Sequence, residues 1–229
     1  MKNKPSSPNS WNLAVVVAMA AFIFGFSAQA GVIAYNFSEN PGNQVLDTTT
    51  PKGPAGTAIW NDSNVRDGGE LWAGNEANLV DDSGANTGAS IVWNAANMWY
   101  NGSGTGTEDA KVVVGYLDDG GSGVSMTISG IPYAEYSVYG IVGSDQNWNS
   151  TYTALDFDVN GTWALGGGSP TTATAHGDLV SSGGAWIELT TSQIGNYWKV
   201  DNVTGSTLTI TGQVRNGTER GSLAAIVIQ

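Results

Sequence analysis

The clearest capacity for chemistry in this sequence lies in its carboxylates. Asp156-Phe157-Asp158 places two acids one residue apart, so in an extended chain both side chains leave the same face roughly 7 Å apart. A retaining glycosidase needs two carboxyl groups about 5 Å apart, one as acid and one as nucleophile, and this pair is the nearest local pattern to that arrangement. No third acid follows at strand spacing, and Asn160-Gly161 ends the run at once, so the competing role for both is to face solvent. Two further segments, Asp118-Asp119-Gly120-Gly121-Ser122-Gly123 and Asp81-Asp82-Ser83-Gly84, have the acid-and-glycine composition that lets oxygen atoms converge on a cation. Asp81, Asp82, Asp118 and Asp119 are therefore candidate ligands of a structural calcium ion, although neither segment has the spacing of an EF-hand loop. Asp and Gly are equally the residues that tight turns select. No other cofactor is expected. The chain has a single histidine, His176, and no cysteine. His176 lacks a Gly-x-Ser-x-Gly partner motif, and a zinc site would need several Cys or His ligands.

Aromatic residues carry the stronger signal. Trp60, Trp72, Trp93, Trp99, Trp148, Trp163, Trp186 and Trp198 follow residue 30, and each can bury about 150–250 Å². A sandwich core about 10 Å thick cannot hold all of them beside its aliphatic residues. Trp93, Trp163, Trp186 and Trp198 fall in or beside predicted strands and suit core or rim packing. Trp148 lies in the wholly polar stretch Asp145-Gln146-Asn147-Trp148-Asn149, and Trp99-Tyr100 is preceded by Asn97 and followed by a glycine-rich run. An exposed ring beside planar amides and carboxylates suits a sugar, whose C–H face stacks while its hydroxyls find donors and acceptors. Trp148, Asp145, Gln146, Asn147, Asn149, Trp99, Tyr100 and Asn97 are the candidate ligand-binding residues. The competing role for these rings is a lid folded back on the core.

The elements that must position these residues are short strands. Val124 to Ser129 and Tyr136 to Val142 both alternate with a period of two, and Ser129-Gly130-Ile131-Pro132 supplies a turn between them. The second arm is apolar on both faces and is expected in a central, doubly covered position; the first, with one Ser/Thr face, is expected to be half exposed. Further strands are predicted at 32–37, 90–94, 110–117, 153–159, 162–165, 185–190, 197–200, 207–211 and 223–228. Asn160-Gly161 is the strongest two-residue hairpin signal. Residues 38–79 are poorly patterned, and a loop of that length in a compact domain either lies along an edge of the sandwich or builds a binding surface. Helix is confined to single turns near 94–98 and 191–194. Strands recurring about every ten residues predict a single antiparallel β-sandwich of jelly-roll type.

Residues 1–30 have the form of a secretory signal peptide: Lys2 and Lys4, an apolar run from Leu13 to Phe26, and the small-x-small site Ala28-Gln29-Ala30. The expected domains are thus the leader, 1–30, and a β-sandwich, 31–229, in a secreted, extracellular or cell-surface protein. The whole chain has 8 basic and 20 acidic residues. Loss of Lys2 and Lys4 deepens that acidity, which argues against nucleic acid and, once the leader is gone, against an anionic membrane as partner. Seven Asn-x-Ser/Thr triplets, at Asn36, Asn61, Asn101, Asn149, Asn160, Asn202 and Asn216, reflect an abundance of turn residues.

Ile33-Ala34-Tyr35-Asn36-Phe37, Gly130-Ile131-Pro132-Tyr133 and Ala224-Ala225-Ile226-Val227-Ile228 give the chain its likeness. It resembles secreted β-sandwich modules of bacterial surface proteins, distantly related to galactose-binding and malectin-like jelly rolls. The resemblance implies a non-catalytic carbohydrate-binding or adhesion module with a glycan or polysaccharide as partner. The alternatives are a structural subunit of an extracellular matrix or surface layer, and a glycoside hydrolase or lyase using Asp156 and Asp158.

Overall fold

The computed structural model describes residues 1, 31–38, 45–63, 72–100, 106–143, 151–167, 174–176, 179–180, 183–212 and 222–229. Its strands are β1 (Ile33–Asn36), β2 (Asn61–Asp62), β3 (Ala73–Ala77), β4 (Ser90–Ala95), β5 (Asn97–Tyr100), β6 (Gly115–Asp118), β7 (Val124–Ser129) and β8 (Glu135–Ile141), then β9 (Thr151–Thr153), β10 (Phe157–Val159), β11 (Thr162–Trp163), β12 (Thr174–His176), β13 (Tyr197–Thr204), β14 (Thr207–Gly212) and β15 (Ala225–Ile228). One short helix, α1 (Glu108–Val112), lies between β5 and β6. Two open sheets face each other as a β-sandwich, one of five strands in the order β13-β8-β15-β1-β2 and one of six in the order β11-β10-β14-β7-β4-β3. Two-stranded ribbons, β12-β9 and β5-β6, complete the fold. The main pairings are antiparallel except β1 with β2, which is parallel.

Alternation decides which side of each strand enters the core. Tyr35, Ile226, Gly140 and Trp198 form one row across the five-stranded sheet, and Gly74, Trp93, Met126, Ile210 and Val159 form the facing kind of row in the other. Three of the largest rings in this core sit opposite a glycine on the neighbouring strand: Trp198 opposite Gly140, Trp93 opposite Gly74, and Phe157 opposite Gly212. A Cβ at Gly140 or Gly74 would overlap the indole, and one at Gly212 would lie 2.7 Å from the Phe157 ring. The rings thus lie down along the sheet in space that only hydrogen leaves free. Phe157 then stacks on Trp198 across the core at 5.3 Å, and Tyr35 and Phe37 meet Trp93 at 5.5 and 5.7 Å.

The five-stranded sheet is covered on its other face too. Val32, Ala34, Ala225, Val227 and Ile141 point away from the sandwich core into a second apolar cluster with Leu46, Trp60, Val112 and Val113. The described part of the long unpatterned section therefore blankets a sheet face, and β2 extends the sheet edge. Lys52 anchors this layer: it is 1% exposed, and its ammonium donates to the carbonyls of Asp47 and Ala58 at 2.7 and 2.8 Å. Asn36 ties α1 to the sheet by donating to the carbonyls of Val112 and Ala224.

Several expectations are corrected. The arms at 124–129 and 136–142 do not pair with each other: β7 lies between β4 and β14, whereas β8 lies between β13 and β15. Both arms turn their apolar side to the same core, so the connection through Gly130, at φ 77°, crosses from one sheet to the other. The strand expected at 110–117 begins as α1, because Thr107 caps Ala110 N–H and the acids Glu108 and Asp109 occupy the first turn. Val112-Val113-Val114 is fully buried, and periodicity cannot tell a buried strand from a buried helical turn. Residues 94–95 and 97–98 belong to strands, with a bend at Ala96, and 185–190 makes only isolated bridges. The Asn160-Gly161 hairpin forms as expected, with φ of 49° and 87° as a type I′ turn requires.

Candidate functional site

The predicted binding residues are split by what the structure describes. Asp145, Gln146, Asn147, Trp148 and Asn149 lie outside the described residues, as does residue range 2–30. Asn97, Trp99 and Tyr100 lie on β5. Met98, 1% exposed, and its cross-strand partner Leu117 point inward and anchor the β5-β6 ribbon. Period-two geometry then turns the neighbouring Trp99 outward, where it is 47% exposed.

Across the ribbon, Trp99 pairs with Tyr116 and Asn97 with Asp118. The structure thereby brings together three residues that the sequence singled out for two different reasons, Asn97 and Trp99 as sugar contacts and Asp118 as an acid of a glycine loop. Gly143, the residue before the Trp148 segment, meets the same ribbon: a Cβ there would lie 2.7 Å from Tyr116 Cβ. Trp72 is a further exposed indole, 44% accessible, that the sequence reading left unassigned. Its carbonyl accepts the Ala95 N–H at 2.7 Å, which places its backbone beside the point where β4 passes into β5. Its flanking residues, Leu71 and Ala73-Gly74, carry no polar cluster that would have marked it.

The other candidates are held by turn chemistry. Asp118 accepts the Gly120 N–H and Asp119, 4% exposed, accepts that of Gly121. Asp81 accepts the N–H groups of Ser83 and Ala85 as well as the Ser83 hydroxyl, and the hydroxyl bond leads in holding its carboxyl below the usual carboxylate range. Asp82 accepts the Val32 N–H at 3.1 Å. The Asp81-Asp82 and Asp118-Asp119 pairs sit on separate loops, and no group of three or more acids or histidines gathers among the described residues. Asp156 is 5% exposed and accepts the N–H groups of Leu165 and Gly167; Asp158 accepts that of Gly161. Both acids thus brace the β10-β11 hairpin and its exit. His176 belongs to β12, paired with β9. Asn36 and Asn61 are buried with their amides donating to main-chain carbonyls, so neither triplet is open to a glycan.

The chemistry available at the β5-β6 ribbon is that of contact: a half-exposed indole, a carboxamide and a carboxylate on two paired strands anchored by the buried Met98 and Leu117. Comparisons of the chain with protein-family models, with curated proteins and with solved structures give no match.

Proposed function

We propose that this chain is a secreted, non-catalytic carbohydrate-binding or adhesion module, built on a sandwich distantly akin to galactose-binding and malectin-like jelly rolls. The observation that carries the reading is Trp99, held outward by the buried Met98 beside Asn97 and Asp118. Stacking from one ring and hydrogen bonds from two polar side chains suit a weak, shallow site, with dissociation constants from micromolar to millimolar, about −8 to −4 kcal/mol. The matrix-subunit reading calls for long flat strand edges, whereas the edges β2 and β11 have two residues each, β3 has five, and β13 shifts register between Val200 and Val203. The hydrolase reading calls for acids free to meet substrate, and Asp156 is buried against main-chain donors.

The test is glycan binding by array and titration with Trp99→Ala. Losing one stacking aromatic should weaken binding about ten- to hundredfold, by analogy with base stacking, and leave the melting temperature nearly unchanged because the ring is half exposed. Undiminished binding by Trp99→Ala would remove this site from the proposal.

A further inference from the structure

Gly31 follows Ala28-Gln29-Ala30, the sequence expected of a leader cleavage site. Cutting there would create a new charge, an α-ammonium on Gly31. The surroundings of that residue suit such a group. A Cβ on Gly31 would lie 2.8 Å from Tyr133 Oη and 3.2 Å from Asp81 Oδ2, so the start of the sandwich is wedged between a phenol and a carboxylate. The next peptide N–H, that of Val32, donates to Asp82 Oδ1 at 3.1 Å. Two adjacent carboxylates therefore converge on the first two residues of the sandwich.

Neither carboxylate has a cationic partner among the described residues, where the salt bridges join Lys111 to Glu108 and Lys199 to Asp201. The Tyr133 hydroxyl oxygen is buried and makes no hydrogen bond among the described residues. Burial, with the charges of Asp81 and Asp82, pushes this phenol up to about 12, so it stays neutral. An ammonium carries three donors. Asp81, Asp82 and Tyr133 together offer it two anions and a neutral acceptor.

We infer that cleavage after Ala30 completes the fold, because the α-ammonium it releases at Gly31 docks between Asp81, Asp82 and Tyr133. The cut hydrolyses the Ala30–Gly31 peptide bond with one water, leaving a carboxylate on the leader and an amine on the domain. A positive charge at this point also offsets part of the domain's acidity where two carboxylates adjoin. The lack of a Cβ at Gly31 matters here, since a side chain would strike Tyr133 Oη. This inference rests on the secretory part of the proposed function and is independent of glycan binding.

The test begins with the full 229-residue chain expressed in an exporting bacterial host, with the amino terminus of the exported protein read by mass spectrometry. Gly31 is expected. The exported protein is then compared with its selectively Nα-acetylated form. Acetylation should lower the melting temperature by about 2–4 °C, the shift that a contribution near 1 kcal/mol makes in a domain of this size. In Asp82→Asn, which keeps an oxygen for Val32 but removes the charge, acetylation should lower it by less. An amino terminus other than Gly31 overturns the processing site. Gly31 found with a melting temperature indifferent to acetylation, or an acetylation effect undiminished in Asp82→Asn, overturns the docking of the ammonium while leaving the cleavage itself standing.

Discussion

The two large sheets share one core, yet they solve the problem of their outer faces differently. The outer rows of the six-stranded sheet run Asn75, Val92, Thr127 and Thr209, then Ala73, Asn94, Ser125, Thr211 and Asp158. These are residues that tolerate water, and Val92 is 56% exposed. The equivalent rows of the five-stranded sheet include Ala34 and Val227, both with no exposure, because α1 and the chain around Leu46 and Trp60 lie over them. The same strand geometry thus produces a Ser/Thr surface where solvent is the neighbour and an Ala/Val surface where protein is. Burial on both faces is what makes one sheet the less tolerant of change.

The sharpest test of this difference is a matched pair of charges. Val227→Asp should abolish folding or cost more than about 4 kcal/mol, since it buries an unpaired carboxylate. Val92→Asp, on the open face, should change stability by no more than about 0.5 kcal/mol in denaturant unfolding; similar losses at both positions would erase the contrast. Gly140→Ala should cost on the order of 1–3 kcal/mol, because the added methyl would overlap the buried Trp198 indole and force it to shift. Should thermal unfolding show no loss, the lying-down geometry of that ring is wrong.

At the open sheet's edge the effects are smaller. Asn160 adopts φ 49°, and its side chain bridges the Thr207 carbonyl and the Thr209 N–H at 3.1 and 2.8 Å. Asn160→Ala should therefore cost about 1–2 kcal/mol, and Asn160→Gly, which restores the turn but not the bonds, should recover part of it. The smallest effect is electrostatic and lies at the rim of the covered face. Hydrogen bonds from Lys199 and then Ser137 hold the Asp201 carboxyl below its usual range. A lowered carboxylate pKa stabilises the fold above the unfolded value, about 4, and that contribution fades as pH falls through the folded one. The melting-temperature gap between the parent and Asp201→Asn should accordingly narrow as pH is lowered from about 6 to about 3.

Much of the contrast between the sheets is legible in the sequence. The alternation of Val124, Met126 and Ile128 with Ser and Thr marks β7 as half exposed; the two-sided apolar pattern at Tyr136 to Val142 marks β8 as central, which its place between β13 and β15 bears out, but cover on its outer face is complete only at Ile141, while Ser137 and Tyr139 stay half-buried. What covers β8 was not legible, because α1 is recruited from a valine run with no helical period, and Leu46 and Trp60 come from a section without alternation. The edge strand β3, Ala-Gly-Asn-Glu-Ala, carries almost no apolar signal; it is held by main-chain bonds and by the space Gly74 leaves for Trp93. At the candidate site, the flanking polar residues pointed to Trp99, but its pairing with Tyr116 and the approach of Asn97 to Asp118 depend on a ribbon closed across α1. Local sequence cannot report such a contact. Trp72 was missed for the converse reason, since its exposure comes from its place at a strand entrance.

The pairing of β1 with β15 fixes the order in which this protein can be made. Ile33 meets Ile228, so the middle of the five-stranded sheet joins the two ends of the sandwich. Closing a loop of that length costs about 5 kcal/mol of chain entropy, which no local hairpin offsets in advance. A nascent chain, emerging at about 5–20 residues per second, can form the β10-β11 hairpin early but must leave β8 and β1 without the strand between them until Ala225 to Ile228 has appeared. The topology is one of high contact order, which folds slowly. The five-stranded sheet stays open between β8 and β1 until that strand is available.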